Sequence, residues 1–241
     1  MIFTFTDFGV LGPYLGQMKA AVLNVAPEEK VIDLMVDAPA FNIEASAQLL
    51  SGLLTNMGQG HVYLCVVDPG VGGTRKAICL KCDGSWFVGP DNGLFSQIIS
   101  NAQEIESYEI LWRPEVLSKS FHGRDLFAPV VAMISQNIEF KKQAIDRNNL
   151  TIFENIHKNC KVIYIDVYGN CWTGIKQSQC GMETCFIIGN EKVKYADVFC
   201  DTEEGGAFWY YNSSGFVEIA INQGSASKEL KLDVGSQINR A

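Results

Sequence analysis

The sequence predicts an α/β domain with a mostly parallel sheet, followed by a smaller all-β domain. Two patterns lead to this prediction. In the first half of the chain, short apolar runs typical of strands alternate with segments of helical periodicity, which is the spacing of βαβ units. After the polar stretch at 141–150 the helical periodicity fades, and strand-like runs follow one another. We therefore place the two domains at residues 1–145 and 157–241.

Elements of the first domain follow from the positions of its apolar residues. The run IFTFT at 2–6 is a short apolar strand, and Pro13 suits the first turn of the helix after it. Asn42 can cap the helix that follows the second strand. Strands are predicted at 2–6, 31–36, 61–67, 76–81, 84–88 and 106–112, and further helices at 13–25, 94–101 and 125–137.

The second domain is predicted to consist of strands joined by turns. The sequence Asn212-Ser213-Ser214-Gly215 separates the last two strands and is typical of a hairpin turn. The strands are predicted at 161–169, 185–189, 208–211 and 216–222.

The chain is acidic, with 19 basic and 27 acidic residues and a formal net charge of −8. This charge argues against nucleic acid or an anionic membrane as a partner and suits a neutral or cationic small molecule. The first residues, MIFTFTDFGV, lack a basic segment before an apolar core, so we expect no signal peptide and a cytoplasmic location. No apolar run reaches the length of about 18 residues that a membrane span requires, so we expect none.

The eight cysteines are expected to be reduced, because we see no secretion signal. Cys79 and Cys82 form a C-x-x-C, but the stretch alternates like a strand, in which positions i and i+3 face opposite sides. A zinc site needs a second pair at suitable spacing, which the sequence lacks. We therefore interpret the pair as structural and expect no metal site.

Two carboxylates follow strands of the first domain. Asp7 ends the first strand in TDFG, and Asp68 ends the third in VVDPGVGGTR. In open parallel sheets, ligands bind beyond the carboxyl ends of the strands, so both residues point to one crevice. Either residue alone is better explained as the start of a turn, but their shared position favours a site. The glycine-rich stretch matches neither phosphate-loop signature and instead delivers Arg75 near Asp68.

The motif His-Gly-Arg-Asp at 122–125 stands at the entrance of an apolar helix. A lone histidine is usually structural, and we interpret His61 and His157 in that way. Asp125 alone is explained by its interaction with the helix dipole, and Arg124 by pairing with Asp125. A base, a cation and an acid side by side nevertheless mark this entrance as a candidate site.

Six motifs in one order along the chain together carry a resemblance. They are TDFG at 6–9, DPGVGGTR at 68–75, GPDNG at 89–93, FHGRDLFAP at 121–129, DVYGN at 166–170 and NSSGFVEIA at 212–220. The chain resembles the S-adenosylmethionine hydroxide adenosyltransferases, which are relatives of the fluorinases and chlorinases. The resemblance implies a barrel-like C-terminal domain. It also implies a homotrimer whose active sites lie between the N-terminal domain of one subunit and the C-terminal domain of the next.

The same resemblance implies roles for residues of the first domain. Asp68, Arg75 and His122 correspond to the residues that activate the nucleophile. Asp7 corresponds to the acid that binds the ribose hydroxyls, and Phe41 to an aromatic wall beside the sugar and base.

Residues of the second domain complete the implied substrate site. Asp166 corresponds to an acid near the methionine ammonium, and Tyr168 and Asn170 to the residues that flank and read adenine. Ser213 and Glu218 belong to the C-terminal segment that closes the pocket. Two positions depart from the family at the methionine end, where Gly12 replaces the usual acid and Gly174 replaces the usual asparagine.

The implied activity is hydrolysis of S-adenosylmethionine to adenosine and methionine, with water attacking the ribose C5′ in line. Because methionine leaves as a neutral thioether, no general acid is needed. We expect His122 and Asp68 to share the departing proton while Arg75 stabilises the developing hydroxide. No cofactor is expected. Two alternatives stay open: a halide-using adenosyltransferase of the chlorinase type, and a module that binds S-adenosylmethionine or nucleosides without turnover. The presence of all three nucleophile-activating residues argues against both.

Overall fold

Two seven-stranded sheets organise the computed structural model, which describes residues 1–154, 156 and 160–241. The chain divides into one unit formed by Met1–Ala47 and Met57–Phe153 and a second formed by Gln48–Asn56 and Glu154–Ala241. We interpret His157 as structural from the sequence, and the predicted second domain begins at this residue. It lies outside the described residues.

The sheet of the first unit has the strand order β2-β1-β3-β5-β4-β6-β7. Its strands are β1 (Ile2–Thr6), β2 (Val31–Met35), β3 (Val62–Val66), β4 (Ala77–Cys82), β5 (Ser85–Pro90), β6 (Ile105–Ile110) and β7 (Lys142–Ala144). The pairings among β2, β1, β3 and β5 are parallel, whereas those from β5 through β4 and β6 to β7 are antiparallel. The predicted mostly parallel sheet is therefore corrected to a mixed sheet.

The change of direction comes from a tight hairpin between β4 and β5. Asp83 and Gly84 link the paired residues Cys82 and Ser85, and both have positive φ values, 46° and 84°. Two residues with positive φ form the turn whose twist suits an antiparallel hairpin. A parallel connection needs a crossover of about a dozen residues or more, which this link cannot provide.

Four helices of the described chain accompany this sheet, with α2 extending into the segment assigned to the second unit. They are α1 (Tyr14–Val25), α2 (Ile43–Leu53), α3 (Ser96–Asn101) and α4 (Ala128–Ser135). Asn42 caps α2 as predicted, because its side-chain oxygen accepts the Ala45 N–H at 3.1 Å. A single turn of π-helix, Gly123–Phe127, precedes α4. Met18 and Val22 of α1 belong to the same buried core as this turn and α4.

The sheet of the second unit has the order β14-β10-β11-β12-β13-β9-β8. Its strands are β8 (Val162–Ile165), β9 (Cys171–Lys176), β10 (Phe186–Ile188), β11 (Glu191–Tyr195), β12 (Ala207–Tyr211), β13 (Phe216–Ile221) and β14 (Asn239–Arg240), with α5 at Ala226–Glu229. The predicted hairpin between β12 and β13 is confirmed by the Asn212 N–H, which donates to the Phe216 carbonyl at 2.9 Å. A bridge between Lys161 and Gln237 joins the segments before β8 and β14, so the sheet curls back on itself.

All eight cysteines lie in the described part of the chain, and none of them is in a disulfide. Cys79 and Cys82 both lie in β4, where burial raises the pKa of each to about 12. Such thiols are poor nucleophiles at neutral pH. Among the residues that the structure describes, none of the helices has the length and apolar character needed to cross a membrane.

Candidate active site

Asp68, Arg75 and His122, which we call the triad, form one hydrogen-bonded group. Arg75 binds both carboxylate oxygens of Asp68, with Nη2 to Oδ2 at 2.5 Å and Nε to each oxygen at 3.1 Å. The same Nη2 lies 2.9 Å from Nδ1 of His122. The side chains of Asp68 and Arg75 are only 4% and 11% exposed. The structure therefore brings together the three residues to which the resemblance assigns nucleophile activation.

The contact with Arg75 fixes the state of the His122 ring. A guanidinium can only donate hydrogen bonds, so Nδ1 must be the acceptor and the hydrogen of the neutral ring must be on Nε2. Burial, followed by the positive charge of Arg75, lowers the pKa of His122 below its ordinary value. His122 is thus a neutral ring at neutral pH, with an N–H donor on the side away from Arg75.

A close contact between two loops makes this geometry possible. Gly72 lies in the loop that joins Asp68 to Arg75 and has a φ of +78°. A Cβ at this position would be 2.3 Å from the carbonyl oxygen of Lys119, in the loop that leads to His122. Only glycine allows both the left-handed backbone and this approach. Gly72 of DPGVGGTR therefore serves loop packing.

Asp68 and His122 line a cavity of about 340 Å³, which we call the first cavity. It opens beyond the carboxyl ends of β1 and β3, where sequence analysis placed a crevice. Its polar and aromatic walls include Asp7, Phe8, Tyr14, Phe41, Asp68, Phe121 and His122. The rings of Phe8, Tyr14 and Phe121 contact one another, with centroids 5.4 to 6.0 Å apart. No motif of the sequence indicates this aromatic cluster, although Phe121 directly precedes His122.

Asp7 and Phe41 are joined in the wall of the first cavity. Oδ2 of Asp7 accepts the Phe41 N–H at 3.1 Å. Burial raises the pKa of Asp7, although this hydrogen bond opposes the change. Phe41 has a φ of +61°, uncommon for a bulky residue, and its side chain is 76% exposed. The carboxylate thus holds a strained backbone that projects an aromatic ring into solvent.

Asp166, Tyr168 and Asn170 meet in a second cavity of about 780 Å³, which lies in the second unit. Oδ1 of Asp166 accepts the N–H groups of Tyr168 and Asn170, both at 2.9 Å, and Oδ2 accepts the Asn170 side chain at 3.0 Å. Asp166 therefore shapes the turn after β8, which leaves Tyr168 77% exposed. Phe199, Tyr210 and Ser225 also line this cavity, and no motif singled them out.

Ser213 and Glu218 do not line the second cavity. Glu218 is 2% exposed and accepts hydrogen bonds from the Tyr210 hydroxyl at 2.5 Å and the Asn212 side chain at 3.0 Å. Burial raises the pKa of Glu218, and these two donors oppose the change. The carbonyl of Ser213 accepts the Asn56 side chain at 3.2 Å. Glu218 thus supports the cavity wall indirectly, through Tyr210.

The two glycines that depart from the family lie in different surroundings. Gly12 has a φ of +104°, in the region that favours glycine. Gly174 is buried in β9, and its N–H donates to the Lys161 carbonyl at 2.8 Å. A larger residue at Gly12 would strain the backbone as it stands here.

Comparison with known proteins identifies the family. The model of the SAM hydroxide adenosyltransferase N-terminal domain matches residues 2–144, and that of the C-terminal domain matches residues 160–239. The chain is 30% identical to an (R)-S-adenosyl-L-methionine hydrolase of Thermus thermophilus, with 98% of each chain covered. It is 31% identical to a hydrolase of the same name from Methanocaldococcus jannaschii, with 97% of this chain and 92% of the relative covered.

Its fold is similar to that of an uncharacterized conserved protein from Thermotoga maritima, with a TM-score of 0.90, 28% identity and full coverage of both chains. The two family models together span both units, and the relatives match nearly end to end. The chain therefore belongs to the SAM hydroxide adenosyltransferase family.

Proposed function

We propose that the protein is an enzyme that hydrolyses S-adenosyl-L-methionine to adenosine and L-methionine. The observation that carries this proposal is the triad, a buried ion pair joined to a neutral histidine at the wall of the first cavity. A binding module has no need of such a group. Because the full-length relatives are named hydrolases of the (R)-sulfonium epimer, we propose that epimer as the substrate.

In the proposed reaction, a water oxygen attacks C5′ of the ribose, and the bond from C5′ to sulfur breaks with its electron pair going to sulfur. Water is a far weaker acid than a carboxylic acid or an imidazolium, so its proton leaves during the attack and not before it. Nδ1 of His122 already accepts from Arg75, and Nε2 carries a hydrogen. The hydrogen bonds therefore favour Asp68 as the proton acceptor, with Arg75 and His122 as donors that stabilise developing hydroxide. This assignment differs from the shared base expected from sequence.

The substrate contacts remain as the resemblance assigns them. In the first cavity, Asp7 would bind the ribose hydroxyls beside Phe41. In the second cavity, Asp166 would face the methionine ammonium, and Tyr168 and Asn170 would contact adenine. Ser213 and Glu218 belong to the closing segment, Glu218 acting through Tyr210. No cofactor or metal takes part in the proposed reaction.

We further propose a cytoplasmic homotrimer with domains at residues 1–145 and 157–241, the latter barrel-like. Each active site would join the N-terminal domain of one subunit to the C-terminal domain of the next. The exposure of apolar side chains beside both cavities supports this assembly, with Phe41 76%, Val167 90% and Tyr168 77% exposed. Nucleic acid and membranes are not proposed as partners.

The test is incubation with a mixture of both sulfonium epimers in oxygen-18 water with excess chloride, followed by mass spectrometry and chiral chromatography. We expect adenosine with heavy oxygen at the 5′ position and loss of the (R) epimer alone. A dominant 5′-chloro-5′-deoxyadenosine peak would favour the halide-using alternative. Binding of adenosine without any product would favour the binding module. The Arg75→Ala variant, which lacks the centre of the triad, is the control for contaminating activity.

A further inference from the structure

Asp125 closes the loop at 118–125, which carries Phe121 and His122 into the wall of the first cavity. Its carboxylate oxygen Oδ2 accepts the Ser118 N–H at 2.9 Å. Its own N–H donates to the Phe121 carbonyl at 3.2 Å. His122 lies between the residues that these two bonds join, so Asp125 fixes the backbone from which the histidine ring projects.

Arg124 ties this loop to α1 and to the aromatic wall. Its Nε and Nη2 donate to the two oxygens of Asp125 at 2.6 and 3.0 Å, and its Nη1 donates to Oε1 of Gln17 at 2.9 Å. Its Cζ lies 5.0 Å from the centre of the Phe121 ring, within the range of a cation–π contact. Phe121 also contacts Tyr14. The residue before His122 is therefore held by both Arg124 and the wall.

Neither Arg124 nor Asp125 lines the first cavity. We propose that these two residues form a positioning clamp that holds His122 with Nδ1 toward Arg75, so that Nε2–H faces the nucleophile. Only the expected effect of the clamp on turnover rests on the proposed function. Its effect on the histidine ring is a property of the folded protein and is measured without substrate.

The backbone at the clamp has an unusual form. Residues Gly123–Phe127 make one turn of π-helix before α4 begins, and such turns occur often at functional sites. The Asp125 N–H bonds to Phe121, four residues back, at the start of this turn. The bond from His122 to Arg75 spans 2.9 Å, so a displacement of about 1 Å is enough to break it, and a displacement of this size can cost about 10²-fold in rate.

The clamp also acts on His122 through charge. The charged groups close enough to affect the ring electrostatically are Arg75, Asp68, Arg113 and Asp125. Burial and the two arginines lower the pKa of His122, while Asp68 and Asp125 oppose the change. Removing the Asp125 charge should therefore lower the pKa of His122 further.

The experiment compares Asp125→Ala, Asp125→Asn and Arg124→Ala with the wild type. Side-chain nitrogen-15 spectra of His122 report which ring nitrogen carries hydrogen and how the ring titrates. For Asp125→Ala we expect a changed His122 signal, a fall in kcat of at least about tenfold and a KM within about twofold of the wild type. Asp125→Asn keeps an oxygen for the Ser118 N–H, so we expect a smaller fall in kcat but a lowered His122 pKa.

Glu106→Gln is the matched control, because Glu106 also pairs with a basic side chain, Lys81, and lies outside the first cavity. It should leave the His122 signal and kcat unchanged. A folded Asp125→Ala or Asp125→Asn protein with wild-type His122 signals would overturn the clamp. If Asp125→Ala does not fold, the His122 signals of Asp125→Asn and Arg124→Ala decide. Wild-type signals in both of these variants would overturn the clamp. An inactive wild type with the expected His122 changes would sink the proposed function and leave the clamp standing.

Discussion

At the scale of single residues, the hydrogen on Nε2 of His122 distinguishes a donor from a base. Glutamine can place an N–H donor near that position but cannot accept a proton, whereas alanine can do neither. If His122 acts as a donor, His122→Gln should retain clearly more turnover than His122→Ala, for which we expect a loss of about 10²–10⁴-fold. Steady-state kcat, with adenosine affinity as the control for folding, checks this. Equal and complete loss in both variants would favour a base.

Asp7 is a second residue whose environment predicts a measurable effect. Burial raises its pKa above the unfolded value, so the folded state loses stability as pH rises from the unfolded pKa through the folded one. Asparagine avoids this cost and can still accept the Phe41 N–H. We therefore expect Asp7→Asn to melt above the wild type at neutral pH, with the difference vanishing in acid, while its adenosine affinity falls.

Thermal melts across pH, together with calorimetry for adenosine, measure both effects of Asp7→Asn. The control is Asp33→Asn, because Asp33 pairs with Lys19 at 2.6 Å and accepts from Thr4 at 2.7 Å. That variant should not gain stability. An Asp7→Asn protein that melts below the wild type at neutral pH would contradict the burial argument.

At the scale of elements, the contact between the two loops of the triad sets the third prediction. Gly72→Ala combines a left-handed backbone with a Cβ 2.3 Å from the Lys119 carbonyl oxygen. Gly60→Ala has a similar φ, +82°, but open space around its Cβ. The left-handed strain, about 1–2 kcal/mol, is common to both variants. We expect Gly72→Ala to melt lower than Gly60→Ala and to lose turnover, and equal melting temperatures with full activity would refute the loop contact.

The elements also show what the sequence could and could not predict. β1 and β3 are fully buried, so their largely apolar runs were recognisable, and their strand ends located Asp7 and Asp68. β11 was missed because only Val193 of its five residues is buried, which leaves no apolar alternation to detect. The strand predicted at 161–169 ends at Ile165, because the Asp166 carboxylate turns the chain into β9.

The part of the site that escaped prediction depends on long-range packing. The rings of Phe8, Tyr14 and Phe121 come from distant segments, and periodicity within one element says nothing about which rings will meet. The contacts that group Gln48–Asn56 with the second unit are of the same long-range kind. Gly52 lies close to the Phe216 ring, and the helical periodicity of α2 cannot predict this contact.

At the scale of the whole molecule, the proposed trimer predicts that exposed apolar residues beside the second cavity become covered. Val167→Asp should reduce the mass in solution below that of three chains and lower turnover, because a buried unpaired carboxylate is costly. Val116→Asp is the matched control, since Val116 is 82% exposed and lines neither cavity. Light scattering at micromolar concentration measures the mass of both variants, and steady-state kinetics measures their turnover. A wild-type monomer would count against the trimer.

The charges around the first cavity have a consequence for the order of events in a catalytic cycle. Asp7 and Asp68 contribute two formal negative charges and Arg75 one positive charge, which leaves an excess of one negative charge. A sulfonium is attracted to that excess, but the attraction ends when the bond to C5′ breaks, because neither adenosine nor the thioether carries the charge. The reaction thus removes the force that holds its own substrate and favours product release. Since salt screens charges and leaves neutral ligands unaffected, KM should rise with ionic strength while inhibition by adenosine stays constant.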